Sequence, residues 1–331
     1  MEVAIIILNW NGLRHLKTFL PGVVQHSYQH SIFVIDNGSI DESKSWIQMT
    51  YPSISIIRHD KNLGFCSGYN KGLQQIKAEY YILLNSDVEV TEGWIDPVIA
   101  LMEKTPNVAV VQPKILSYEN KTRFEYAGGA GGHIDWLGYP FCRGRIFDTL
   151  EEDEGQYDDP SEILWASGAC LFIRASLFHK YGGFDWAFFA HMEEIDLCWR
   201  LKNNGFNILY CPESVVYHLG GGTLQKSSPF KTFLNYRNGL FLLYKNLPNQ
   251  RFYLVLFLRM ILDSISGLRH ALKLEFRFLS AILKAHFSFY GHVFLGKIKR
   301  NNPQNTFSKP ILKKSIVWAY FIQHKKKFTE L

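Results

Sequence analysis

The chain of 331 residues has room for one large domain or two ordinary ones, at roughly 100–200 residues each, and its 47% hydrophobic and 20% charged residues, with 25 Phe and 17 Tyr, are ample for a core. That composition excludes a peptide scaffold and an intrinsically disordered chain. Five scattered cysteines (Cys66, Cys142, Cys170, Cys198, Cys211) with no CxxC pair argue against a disulfide framework or a zinc site, and fit a reducing compartment. The net charge of +6 is unevenly placed: residues 1–230 hold 18 Lys and Arg against 27 Asp and Glu, or −9, whereas residues 231–331 hold 18 against 3, or +15. A basic segment suits nucleic acid or an anionic membrane. Its interleaving with apolar runs such as FYLVLFL at 252–258 favours lipid over nucleic acid.

VAIIIL at 3–8 reads as a buried strand ended by NWNG. The polar Asn9 and Asn11 cut this run too short for an export signal, so none is expected. A helix to about residue 27, a strand at 31–35 stopped by DNGS, and a helix opened by Asp41-Glu-Ser follow. A strand at 53–57, a helix at 66–77 and a strand at 80–84 ending in Asn-Ser-Asp complete the series. Strands alternating with helices predict an α/β fold, a Rossmann-like, mostly parallel sheet flanked by helices. Ligands bind beyond the carboxyl ends of such strands, where Asn9, Asp36, Asn37, Asn85 and Asp87 fall.

Residues 118–162, rich in Gly, Asp and Glu, read as a long excursion or mobile loop beside the site. An apolar segment at 163–173, a turn at 182–185, a helix around 193–204 and an apolar run ending at His218 follow. Beyond residue 230 the pattern is helical. Residues 252–267 are the most apolar, but Arg259 and Asp263 interrupt them short of the roughly 20 residues a membrane span needs. An interfacial helix with amphipathic neighbours at 269–300 and 311–328 is expected; a helical subdomain packed on the core, or a homo-oligomer interface, is the alternative. The division expected is 1–230 and 231–331.

Four segments carry candidate chemistry. Asp87, just after a buried strand, suits a divalent cation shared with phosphates, or is a turn or cap residue. In HMEEIDLCWR, helical spacing puts Glu193, Asp196 and Arg200 on one stripe and Glu194 apart from it. One carboxylate can then be held by arginine while another accepts a proton, unless the run is simply a solvated face. His218, before Gly220, Gly221 and Gly222, is either a core histidine or a group completing a metal shell beside backbone that admits phosphate. NLGFCSGYN at 62–70 is a tight turn or an anion-approaching helix entry.

In this order, NWNG, VIDNGSID, NLGFCSGYN, YILLNSDVEV, the GAC segment, GGFDWAFFAHMEEIDLCWR, YHLGGGT and YRNGLFLLYKNLP resemble a family 2 glycosyltransferase of the rhamnosyltransferase-like type over residues 1–247. The resemblance implies a GT-A fold in residues 1–230, with 231–331 a helical, basic, membrane-associated extension. Asn9 and Asp36 match positions holding base and ribose; Asn37, Asn62, Gly64, Asn70, Asn85 and Ser86 match the remaining nucleotide-sugar pocket. Asn85 and Asp87 match the DxD metal motif, with Asn in its first position, and His218 matches the histidine that joins the shell around Mg2+ or Mn2+. Glu194 matches the catalytic base, with Glu193 and Asp196 as contributors. Trp165, Gly168 and Asp185 match the acceptor and sugar pockets.

The implied reaction is inverting transfer from a nucleoside-diphosphate sugar, dTDP-rhamnose or a UDP-sugar, to a glycan or lipid-linked acceptor, by a cytoplasmic enzyme peripheral at the inner membrane face. Two rivals remain. A nucleotidyltransferase would need a basic Gly-rich loop that NWNGLRHLK does not supply, and Asn85 is the only feature favouring a non-catalytic sugar- or nucleotide-binding module.

Overall fold

The structure, a computed structural model, describes residues 2–220, 228–301 and 311–331. Its first part alternates as expected: β1 (Val3–Asn9), α1 (Leu13–Gln25), β2 (Ser31–Asp36), α2 (Ser43–Thr50), β3 (Ser55–Arg58), α3 (Gly64–Leu73) and β4 (Tyr80–Leu84). Then come β5 (Val88–Val90), α4 (Asp96–Lys104), β6 (Val108–Ser117) and four short strands, β7 (Gly132–Asp135), β8 (Pro140–Cys142), β9 (Arg145–Ile146) and β10 (Thr149–Leu150). The chain continues through β11 (Ser161–Ile163), β12 (Cys170–Arg174), α5 (Ala175–Lys180), α6 (Glu193–Asn203) and β13 (Asn207–His218). It ends with α7 (Pro229–Asn246), α8 (Asn249–Leu272), α9 (Phe276–Phe294), β14 (Ile311–Leu312) and α10 (Ile316–Phe321).

The main sheet runs β3-β2-β1-β4-β12-β6-β13-β11, with β5 also paired to β13. Strands β1 to β4 are mutually parallel, as fully apolar strands covered on both faces should be. Strand β12 runs antiparallel between β4 and β6, and β13 returns parallel to β6. Alternate side chains feed two cores. Ile5, Ile7, Ile82 and Leu84 meet α1 and α4 on one face, while Ile6, Leu83 and Ile173 meet α3, α6 and α7 on the other. The parallel strands all end at one rim, so the polar residues after β1, β2 and β4 converge there without any contact between them being needed to bring it about.

Residues 118–162 are not a mobile loop. They return along β6 as a short hairpin and supply four strands of a second sheet, β10-β9-β8-β7, which β14 completes, with Phe124, Ile134, Phe141 and Ile146 buried. Glycines make the close approaches possible: a Cβ on Gly132 would overlap the Trp165 ring, and one on Gly144, at φ +90°, the Phe124 ring. Strands of two to four residues leave too short a periodicity to read from sequence.

Helix α7 is core, with Leu240, Phe241, Leu242 and Leu243 fully buried against the sheet domain. Helix α8 is apolar on both sides, with Phe252 and Val255 buried against the core. Its inner face carries Arg259 and Asp263, the latter met by Tyr139 Oη at 3.2 Å and His286 Nε2 at 3.0 Å, while Phe257, Ile261, Ile265, Leu268 and Leu272, spaced by four, four, three and four, face outward. Leu283, Phe287, Tyr290 and Phe294 make a matching outer stripe on α9. No helix among the described residues is long and apolar enough to cross a membrane.

Helices α6 and α7 are joined through Asp196, which has no exposed surface. It accepts from Arg200 Nε at 2.8 Å, Lys245 Nζ at 2.8 Å and Asn246 Nδ2 at 2.8 Å. Burial pushes its carboxyl up, but the two cations more than offset this and hold it below the usual carboxylate range. Removing one partner of such a buried pair strands the others. Asp196→Asn should therefore cost about 3 kcal/mol in urea unfolding, and a loss below about 1 kcal/mol would mean the clamp carries little.

Candidate active site

The rim at the ends of β1 and β2 is prebuilt. Asn9 is buried and donates to Ser39 Oγ at 3.2 Å, and the same Oγ accepts the Asn11 amide at 3.0 Å. Asn9 Oδ1 and one oxygen of the buried Asp36 have no hydrogen-bond partner. Asp36 spends its other oxygen on Ser39 N at 3.1 Å, with the half-exposed Arg58 3.7 Å from the free one. Orphaned buried acceptors are costly, and a ligand carrying donors, such as a base or ribose, would satisfy these. Asn37 is used differently: it donates to Asn62 Oδ1 at 3.0 Å and Gly64 O at 3.1 Å and accepts from Leu63 N at 3.0 Å, so it shapes the entry to α3. Asn62 is exposed there, and Gly64 has φ +79°, which suits glycine.

At the next strand ends, β5 pairs antiparallel with β13 so that Val88 lies opposite His218, and Leu219 N donates to Asp87 O at 3.0 Å. This register puts His218 Nε2 3.3 Å from Asp87 Oδ1. On the other side of the ring, Nδ1 lies 3.4 Å from Glu125 Oε2 with no aligned hydrogen bond. Burial alone would lower the imidazole, but the two carboxylates carry it up to about 10; burial pushes Asp87 up, and His218 brings it below the usual range. A carboxylate oxygen and an imidazole nitrogen that yields its proton to the incoming ion fit a divalent cation completed by diphosphate oxygens and water. They do not suffice alone: no group of three His, Cys, Asp or Glu that could hold a metal occurs among the described residues. Asn85 and Ser86 are half-buried beside them, without side-chain hydrogen bonds among the described residues. Gly221, Gly222 and Thr223 lie outside the described residues.

The acidic segment enters α6 through an unusual backbone. Phe189, His191 and Met192 all have positive φ, at 66°, 68° and 72°. Each costs roughly 1–3 kcal/mol for a residue with a side chain, so the surroundings must enforce it. Helix α7 does so: Asn238 Nδ2 donates to the carbonyls of Phe188, Ala190 and His191 at 3.0, 2.9 and 2.7 Å, and Arg237 Nη2 donates to Phe188 O at 2.9 Å. The result is two adjacent desolvated carboxylates, each with one unbonded oxygen. Burial and then Glu194 push Glu193 well above the usual range; burial raises the half-buried Glu194 to about 7. Only Glu194 is both near-neutral in pKa and partly open, the condition for a general base.

Several expected residues serve the scaffold instead. Asp196 is fully engaged and cannot accept a substrate proton, because all its acceptor capacity faces Arg200, Lys245 and Asn246. Asp185 caps the turn at Ala187 N (2.9 Å) and pairs with Lys245 at 2.5 Å. Asn70 clamps Phe184, donating to its carbonyl at 2.6 Å and accepting its amide at 3.0 Å. Trp165 is buried, its Nε1 donating to His133 O at 2.9 Å; Gly168 remains half-buried facing Phe65. The residues missed were Glu125, Arg237 and Asn238. Glu125 lay in a stretch without periodicity, whereas Arg237 and Asn238, in YRNG, were two buried polar residues in a helix, the one signal that could have marked them.

The family model described as "Glycosyl transferase family 2" matches residues 4–182. The N-acetylglucosaminyl-diphospho-decaprenol L-rhamnosyltransferase of Mycobacterium tuberculosis (strain CDC 1551 / Oshkosh) is 26% identical over 231 residues, 65% of this chain and 75% of that protein. The low-salt glycan biosynthesis hexosyltransferase Agl10 of Haloferax volcanii is 24% identical over 248 residues, 72% and 74% of the two chains. Among solved structures, GalNAc-T7 with UDP, GalNAc and Mn2+ superposes with a TM-score of 0.56 at 19% identity over 73% of this chain and 47% of that one. The mannosyltransferase PcManGT of Pyrobaculum calidifontis with GDP-Man and Mn2+ does so at 0.53 and 11% identity over 89% and 79%. These likenesses show the fold to be GT-A.

The clamp on the 187–192 segment makes its own test. Asn238→Ala takes the side-chain donor from the Ala190 and His191 carbonyls, while Phe188 O keeps Arg237, and should lower stability by about 1–3 kcal/mol, with amide exchange at 189–192 speeding more than in the sheet; uniform acceleration would deny the clamp its local role.

Proposed function

The chain belongs to glycosyl transferase family 2, and from that premise we propose that it is a metal-dependent inverting glycosyltransferase acting on a nucleoside-diphosphate sugar and a hydroxyl of a glycan or lipid-linked acceptor. The observation that carries this reading is the pair Glu193 and Glu194, adjacent in the first turn of α6 and both raised by burial. Asn9 and Asp36 receive base and ribose with their orphaned oxygens, and Asn37, Asn62 and Gly64 keep the α3 entry in shape. Asp87 and His218, with Asn85 beside them, would hold Mg2+ or Mn2+, whose charge offsets that of the departing diphosphate. Glu194 takes the proton of the acceptor hydroxyl as its oxygen attacks the anomeric carbon from the face opposite the diphosphate, so no covalent enzyme intermediate is required. Glu193, kept neutral by burial, adds no charge that would repel the ionised Glu194.

The donor we favour is dTDP-rhamnose or a UDP-sugar, the former because a relative is named for rhamnosyl transfer. That relative's name also supports a lipid-linked acceptor, and the outward apolar stripes of α8 and α9 support a resting place on an anionic membrane. The basic residues of 231–331 supply the attraction and the stripes the burial.

Two measurements test these statements. Glu194→Gln should cut turnover by about 10²–10⁴-fold while thermal shifts with nucleotide sugars and Mn2+ persist; in the native enzyme kcat should climb with pH to about 7 and then level, since the ionised carboxylate is the active form. A protein with nucleotide-dependent shifts but no turnover on any acceptor would instead be a binding module. In vesicle flotation, the protein should rise with phosphatidylglycerol-containing bilayers, and the pair Phe257→Glu and Ile265→Glu should abolish this; a concentration-dependent dimer lost in that variant, with no flotation of either, would assign the face to self-association.

A further inference from the structure

Glu125 has no part in the donor chemistry described so far, yet it is buried against the ring of His218. Its position is built by main chain. The segment after β6 turns back on itself, with Ser117 N donating to Arg123 O at 2.8 Å and Glu125 N to Ile115 O at 3.1 Å. Because β6 runs beside β13, with Ile115 opposite Val216 and Ser117 opposite His218, this return delivers the Glu125 carboxylate to the face of the imidazole turned away from Asp87. The same segment holds the histidine's backbone, Tyr118 N donating to His218 O at 3.0 Å. The carboxylate itself is anchored by the Ala127 amide, and its far side is closed by Gly220, where a Cβ would come within 2.9 Å of Oε1 and where φ is +69°.

An imidazole offers a metal one nitrogen only when the other carries its proton, and a carboxylate on that second nitrogen fixes the tautomer, orients the ring and raises the basicity of the coordinating atom. We infer that Glu125 is a positioning residue for the metal site: with Oε2 3.4 Å from His218 Nδ1, a contact that a small rotation of the ring must align because no hydrogen bond is made as it stands, it would keep a proton on Nδ1 and leave Nε2, beside Asp87, for the divalent cation of the donor diphosphate. The inference rests on the transferase reading given above. It also gives the second sheet a part in the site, since Glu125 stands at the entrance of that excursion. Glu125 lies on the far side of the ring from Asp87, so in this reading it is not itself a ligand.

The test uses the full chain and Mn2+ titrated in the presence of UDP, dTDP or GDP, with unbound Mn2+ read by electron paramagnetic resonance. Glu125→Gln, which keeps the shape and removes the charge, should weaken Mn2+ binding by about 10-fold or more in protein whose circular dichroism is unchanged, and Glu125→Asp should recover part of the loss. Nitrogen-15 spectra of the histidine rings in the Mg2+ and nucleotide complex, assigned by the signal lost in His218→Gln, should show His218 protonated at Nδ1. Mn2+ binding by Glu125→Gln within twofold of the native protein, or coordination through Nδ1, would overturn the inference and leave the transferase reading intact. Failure of the native protein to bind Mn2+ with any of the three diphosphates would count against metal dependence itself, and the inference would fall with it.

Discussion

The site depends on one arrangement: α7 laid across the entry to α6. Through Arg237 and Asn238 it supplies donors to a backbone that turns through three left-handed residues, and through Lys245 and Asn246 it neutralises Asp196 one turn into the helix. Without these donors the segment would relax to ordinary φ values and let water into the carboxylates. The weakened acidity of Glu193 and Glu194 is therefore a property of a helix some forty residues further along the chain. The near-neutral base is made by packing, because desolvation is what raises a carboxylate that no anion needs to push.

Strand register does the corresponding work on the diphosphate side. Asp87 and His218 are far apart in sequence and meet because β5 and β13 pair with Val88 opposite His218. A slip of one residue would send either side chain to the other face. The pairing of β13 with β6 adds Glu125, so three strand ends and one hairpin build a carboxylate, imidazole and carboxylate in line. Fixing the groups before a ligand arrives leaves little reorganisation to be done on binding.

The C-terminal helices follow a different logic. A globular helix buries its apolar stripe and exposes its charges; α8 buries Arg259 and Asp263 and exposes a continuous apolar stripe, repeated on α9. The interior pair is sustained by Tyr139 and His286, with the guanidinium 3.9 Å from the Tyr139 ring centroid. An exposed apolar face of this extent marks a surface that meets something other than water. The sequence showed the two charges inside the apolar run, but not the side to which they would turn.

Much was legible in the residues themselves. Runs such as VAIIIL and YYILL, short, rich in β-branched residues and bounded by turn residues, read as strands covered on both faces, and the parallel order they impose brings Asn9, Asp36, Asn85 and Asp87 to one rim, so fold class and the donor side follow from hydrophobic pattern and chain direction. Local charge spacing likewise put Glu193, Asp196 and Arg200 on one stripe, of which Asp196 is the carboxylate Arg200 holds. What lay beyond it were roles set by contacts between distant segments: Asp196, Asp185 and Asn70 as struts, Glu125 beside His218, and Glu194 as the carboxylate that is both raised and open. A sequence determines which groups stand at a strand end, because periodicity is local; whether a group is desolvated, paired or free is decided by what packs against it, and only the tertiary structure brings α7 and the second sheet to bear.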